Sequence, residues 1–141
     1  MERKYNYTLP ELLDRLSIVQ LKEMLIPNHK EEYASEIAAI LSDIQSIIDA
    51  NKICINADIL RNLIVLAQIN THIWHNEANY RKGIKEGNSL ELTHGLNGIR
   101  NTAKNKIASA IGGRKDYKID CLAAEFSGWL PSGYSPAEQD L

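Results

Sequence analysis

The chain has 141 residues, of which 44% are hydrophobic and 24% charged, with a formal net charge of -2 at pH 7. Such a chain has room for one hydrophobic core, and a single domain over 1–141 is expected. Lys and Arg are scattered rather than clustered and aromatic residues make up only 6%, which excludes the basic footprint of a nucleic-acid binder and the stacking surface of a single-strand binder. The densest apolar stretch, Leu63 to Ala67, is far shorter than the roughly 20 residues a membrane helix needs. Met1-Glu2-Arg3-Lys4-Tyr5 has no apolar core of a signal peptide. Cys54 and Cys121 stand in no paired motif and read as free thiols of a cytoplasmic chain.

Thr8-Leu9-Pro10-Glu11 is a helix start: Thr8 is placed to cap, Glu11 completes a capping box, and Pro10 lies in the first turn where a missing N–H costs nothing. The helix is expected to run to Ile26, where Pro27-Asn28 ends it. It has two apolar faces, Leu9, Leu12, Leu13, Leu16 and Val19 on one and Ile18, Leu21 and Leu25 on the other. A helix apolar on two sides is covered on two sides, being either central in its bundle or shared with a second subunit.

A second helix, about His29 to Ala50, carries the stripe Tyr33, Ile37, Ile40, Leu41, Ile44, Ile47 and Ile48. Glu32, Glu36 and Asp43 are expected off that stripe, on a wet outer face. After a connector at Asn51 to Asn56, a third helix spans about Ala57 to Lys82 and closes at Gly83; a fourth spans about Ser89 to Ile111 and closes at Gly112-Gly113. Ile119, Leu122, Ala123 and Phe126 suggest a short fifth helix, followed by an irregular tail through Trp129 and Tyr134. With no alternating strand pattern and short connections, the expected fold is all-α. It would be an antiparallel bundle of four main helices over about 8–111 with a helical or irregular extension over about 114–141.

Polar residues interrupt the apolar stripes in two places. The inner stripe of the third helix is read as Leu63, Leu66, Ala67, Asn70, Trp74, Glu77 and Arg81, where the last four recur at +4, +3 and +4 and stack on one face. The fourth helix has the stripe Leu92, Leu96, Ile99, Ala103, Ile107 and Ala110, flanked by Asn97, Arg100 and Lys104. If these helices pack as a hairpin, the donors converge on Glu77, with Asp14 of the first helix joining. A buried charge costs several kcal/mol unless it is paired, so the cluster is either an ion-pair network that fixes helix register or an anion pocket. In the second case Arg81, Arg100 and Lys104 receive a phosphate or carboxylate and Trp74 forms a wall.

No nucleophile–base pair is visible, and no catalytic residue or cofactor is assigned. His72 and His75 are three apart, but neither faces Glu77, so no metal site is read there. Glu31, Glu32 and Glu36 approach the magnesium-binding E-E-x-x-E pattern of helical nucleotide hydrolases but with a spacing one residue too long.

Asp14-Arg15-Leu16-Ser17-Ile18-Val19-Gln20-Leu21-Lys22 resembles the D-x-[LI]-[ST]-I-x-x-[LI]-K opening of a family of small, uncharacterised, all-helical bacterial proteins, often encoded near genes for surface sugars and glycosyl transfer. Ile69-Asn70 and Ile73-Trp74 with Glu77 and Arg81 resemble that family's I-N…W-x-x-E-x-x-x-R helix. Ile73-Trp74-His75-Asn76-Glu77 is similar to the I-W-H-x-E element of a second such family, and Asn97, Arg100, Lys104 and Ile107 to an N-x-x-R-x-x-x-K-x-x-I helix. The resemblance implies a helical fold and singles out the same polar residues, but it implies no reaction.

The expected function is therefore that of a non-enzymatic helical module. It would bind a small anionic ligand or a protein partner through Asp14, Asn70, Trp74, Glu77, Arg81, Asn97, Arg100 and Lys104. A homodimer is expected to cover the second stripe of the first helix together with Val65 and Ile69. The competing readings are a metal-dependent nucleotide or nucleotide-sugar hydrolase and a purely structural assembly protein.

Overall fold

The computed structural model describes residues 6–83, 90–111 and 118–120. Within them run β1 (Asn6–Thr8), α1 (Leu9–Leu25), α2 (Lys30–Asn51), α3 (Ala57–Arg81), α4 (Leu90–Ala110) and β2 (Lys118–Asp120). The fold is all-α, with four helices among the described residues.

Local chemistry sets the helix ends. Thr8 caps α1 by the expected box: its Oγ1 accepts from the Glu11 N–H at 3.3 Å while Glu11 Oε1 accepts from the Thr8 N–H at 3.3 Å, which satisfies two donors that the helix cannot. Asn56 caps α3, its Oδ1 accepting from the Ile59 N–H at 2.9 Å. α2 ends at Lys52 in the left-handed region, and Gly83 follows α3 at φ 85°, a conformation that glycine adopts without a Cβ penalty.

α1 packs against α2 on one side and against both α3 and α4 on the other, and α3 and α4 form the most extensive pairing. α1 is central, but its buried positions include Leu9, Leu12, Leu13, Val19, Asp14 and Lys22; the second apolar stripe of Ile18, Leu21 and Leu25 does not join the core. The apolar core joins Leu9, Leu12, Leu13 and Val19 of α1 to Tyr33, Ile40, Ile44 and Ile47 of α2, Ile59 and Leu66 of α3, and Ala103 and Ile107 of α4. Ile18 and Leu21 are half-buried, whereas Leu25 is exposed.

Three expectations are corrected. In α2, Glu36 and Asp43 are buried at 2% and 3% exposure while Leu41 is exposed. The face that meets α1 is Tyr33, Glu36, Ile40, Asp43, Ile44 and Ile47, a +3/+4 series in which two acids occupy core positions. In α4, Leu92 and Ile99 are exposed and only the Ala103–Ile107 end of the expected stripe is fully buried. Lys118–Asp120, which contains Ile119, is not helical. It is a short strand antiparallel to β1, pairing Tyr7 with Ile119; three residues are too short for alternation to be read in sequence. Leu122, Ala123, Phe126 and the tail beyond lie outside the described residues.

Of the two α2 acids, Glu36 faces cations from α1. Arg15 Nη2 meets Glu36 Oε1 at 3.1 Å, and Lys22, only 3% exposed, lies in the field of the same carboxylate. Burial pushes the Lys22 ammonium down to about 8, against the pull of Glu36 and with a smaller push from Arg15. Burial likewise raises the Glu36 carboxyl, and Arg15 and Lys22 oppose this.

A lysine with a depressed value in the folded state holds fewer protons than its unfolded counterpart between about 8 and the ordinary 10.5. Its penalty is therefore complete below pH 8 and relieved as pH rises through that window. Urea unfolding at pH 7.5 and 9.5 should show the wild type gaining stability relative to Lys22→Met, by no more than about 1.4 kcal/mol per pH unit. A difference independent of pH would show that Lys22 titrates normally.

Candidate functional site

Adjacent residues of a helix point about 100° apart. While Arg15 faces α2, its neighbour Asp14 faces the α3–α4 hairpin, where it is buried at 5% exposure. A carboxylate stripped of water needs several donors, which Arg100 and Asn70 supply, with the Lys104 ammonium close by. Arg100 grips it bidentately, Nε on Oδ1 at 2.9 Å and Nη2 on Oδ2. Asn70 Nδ2 donates to Oδ1 at 2.9 Å. The Lys104 ammonium lies 3.8 Å from Oδ2, an ionic contact rather than a hydrogen bond.

A second layer orients these groups. Ser17 Oγ donates to the Asp14 carbonyl at 2.8 Å and accepts from Asn70 Nδ2 at 2.6 Å, so Asn70 spends both amide protons on α1. Asn97 Oδ1 accepts from Arg100 Nη1 at 3.4 Å, and its Nδ2 donates to the Thr93 carbonyl at 3.1 Å. Nearly two turns along α3, the Asn76 amide donates to Thr93 Oγ1, extending the polar seam toward the end of the hairpin.

Of the eight residues read from the sequence, Asp14, Asn70, Asn97, Arg100 and Lys104 form one connected group. Glu77 stands beside it: burial raises its carboxyl, and the fields of Arg81 and Arg100 oppose that rise. The Arg100 guanidinium is held protonated chiefly by its hydrogen bond to Asp14, then by the charges of Asp14 and Glu77, all against burial. Arg81 is exposed, and Trp74 is half-buried with its indole N–H enclosed and without a hydrogen-bond partner. The inner face of α3 is therefore corrected to Ile59, Asn62, Leu66, Asn70, Ile73 and Asn76, which turns Arg81 out of the stripe and leaves Trp74 and Glu77 on its flank.

Sequence reasoning missed Ser17 as a member and the whole Arg15–Glu36–Lys22 layer. The available signals were the hydroxyl three residues after Asp14 and the +7 spacing of Arg15 to Lys22 and of Glu36 to Asp43, which repeats the period of a buried helix face.

Among the described residues no group of three or more His, Cys, Asp or Glu side chains gathers as a metal site. His72 and His75 are exposed, as is the free thiol of Cys54, while Cys121 lies outside the described residues. No described helix is long and apolar enough to cross a membrane. No family model, curated protein or solved structure matches the chain.

Removing Arg100 leaves Asp14 buried with one amide donor and a distant ammonium. Arg100→Ala should lower unfolding free energy by about 2–3 kcal/mol, somewhat below the roughly 3–5 kcal/mol of a fully buried broken pair because Arg100 is partly solvated. In a double-mutant cycle with Asp14→Ala the coupling should reach at least about 1.5 kcal/mol. Additive losses would mean that the two side chains do not act as a pair.

Proposed function

We propose that this protein is a non-enzymatic helical module that binds a small anionic group, of the phosphate, nucleotide or nucleotide-sugar type, at the edge of the polar seam between α1, α3 and α4. The observation that carries this reading is Lys104. Asp14 already receives a bidentate guanidinium, so the ammonium 3.8 Å away keeps its hydrogen-bonding capacity, and its side chain is 25% exposed. Two carboxylates, Asp14 and Glu77, stand near three cations, Arg81, Arg100 and Lys104, and the surplus charge attracts an anion.

The expected partner in assembly is a second copy of the chain, covering Leu25 and the half-buried Ile18, Leu21, Val65 and Ile69. A monomer at micromolar concentration would contradict that part of the proposal.

Phosphate, nucleotides and nucleotide-sugars are the probes for the anion. A bound anion at about 100 times its dissociation constant should stabilise the fold by roughly 2.7 kcal/mol, a shift of several degrees in melting temperature. Lys104→Gln should weaken that binding about tenfold, while changing the stability of the unliganded protein by less than about 1 kcal/mol, as expected for a partly exposed ion pair. If no anion shifts the wild type, or if Lys104→Gln binds as tightly, the small-anion reading fails and a protein partner takes its place.

A further inference from the structure

The arrangement around Asp14 has the form of an occupied oxyanion site. A planar guanidinium from α4 donates two bonds to the two carboxylate oxygens, an amide from α3 donates a third, and an ammonium from α4 stands at 3.8 Å. Every one of these donors belongs to the α3–α4 hairpin. The acceptor alone comes from a different element, α1. The seat is also accessible at its edge: the Arg100 and Lys104 side chains are 27% and 25% exposed, against 7% for Asp14. The donors thus reach solvent while the acceptor sits beneath them.

From this geometry we infer that the α3–α4 hairpin presents a seat for a carboxylate or phosphate oxyanion and that Asp14 fills it from within, so that an external oxyanion binds by taking the place of the Asp14 carboxylate. The inference rests on the anion-binding reading of the same cluster and adds its regulation. Asp14 is an internal competitor, and apparent affinity is reduced by the fraction of molecules in which it holds the seat. The guanidinium accepts planar carboxylates bidentately, so formate and acetate are the smallest probes that match the seat, with inorganic phosphate as the tetrahedral alternative.

The experiment compares wild type, Asp14→Ala and Asp14→Asn in thermal-shift titrations with formate, acetate and phosphate against chloride at matched ionic strength. Asp14→Ala vacates the seat, whereas Asp14→Asn preserves the side-chain shape without the charge and serves if the alanine variant does not fold. The expected result is saturable stabilisation of the variants by one of the oxyanions, at a concentration at least about tenfold lower than any effect on wild type. The response should vanish when Arg100→Ala is added to Asp14→Asn. Variants that respond no better than wild type, or that respond equally to chloride, would overturn the inference. The two readings separate cleanly. A wild type that binds no anion, beside variants that do, removes the proposed function and leaves the seat. A wild type that binds, beside variants that have lost binding, makes Asp14 part of the site and not its occupant.

Discussion

The architecture depends on how one buried carboxylate is satisfied. Asp14 is nearly dry, and its two oxygens are shared by Arg100 and Asn70, with Lys104 nearby. Those donors lie on α3 and α4, so the contact fixes both helices of the hairpin against α1 at one level. The cost of desolvation makes this constraint specific. An apolar residue at the same place would tolerate sliding by a turn, whereas an orphaned carboxylate in the core would not. Ser17, three residues on, secures the same level by using its hydroxyl both to donate to the Asp14 carbonyl and to accept from Asn70.

The other side of α1 repeats the device with reversed signs. There α1 contributes cations, Arg15 and Lys22, and α2 contributes the acid Glu36. This layer is less completely satisfied: Arg15 Nε and Glu36 Oε2 are enclosed without hydrogen-bond partners. Buried ionic groups of this kind add little net stability compared with apolar residues of the same volume. Their consequence is pairing specificity, because α2 packs chiefly on α1 and makes no comparable contact with α3 or α4. The consecutive residues Asp14 and Arg15 therefore attach α1 to the two halves of the molecule.

The helices and their caps at Thr8 and Gly83 were legible because they follow from local signals: a capping box, a left-handed terminus, an amphipathic period. That Asp14, Asn70, Asn97, Arg100 and Lys104 meet was legible for a related reason, since polar residues at core-phased positions must find one another, but the expected centre is Glu77 and the observed one is Asp14. What was not legible depended on partners from distant helices. Acids are usually solvated, which puts Glu36 and Asp43 in water on the sequence pattern alone, yet they complete the +3/+4 series of Tyr33, Ile40 and Ile47. Arg81 follows Glu77 by one turn, which points it inward on helical phase, but it is exposed at the end of α3. Leu92 and Ile99 fit an apolar stripe whose phase turns out to be centred on Arg100 and Ile107. β2 escaped notice because its pairing partner lies more than a hundred residues away.

The Asp14–Arg100 clamp should be visible in solution through the arginine side-chain N–H signals of 15N-labelled protein. The account predicts one Nε–H resonance, assigned to Arg100, that is shifted downfield and protected from exchange at pH 7 and that loses both properties in Asp14→Asn. If every arginine Nε–H exchanges freely in the wild type, or if the Arg100 resonance is unchanged by Asp14→Asn, the carboxylate does not hold the hairpin and the central contact of the fold is another one.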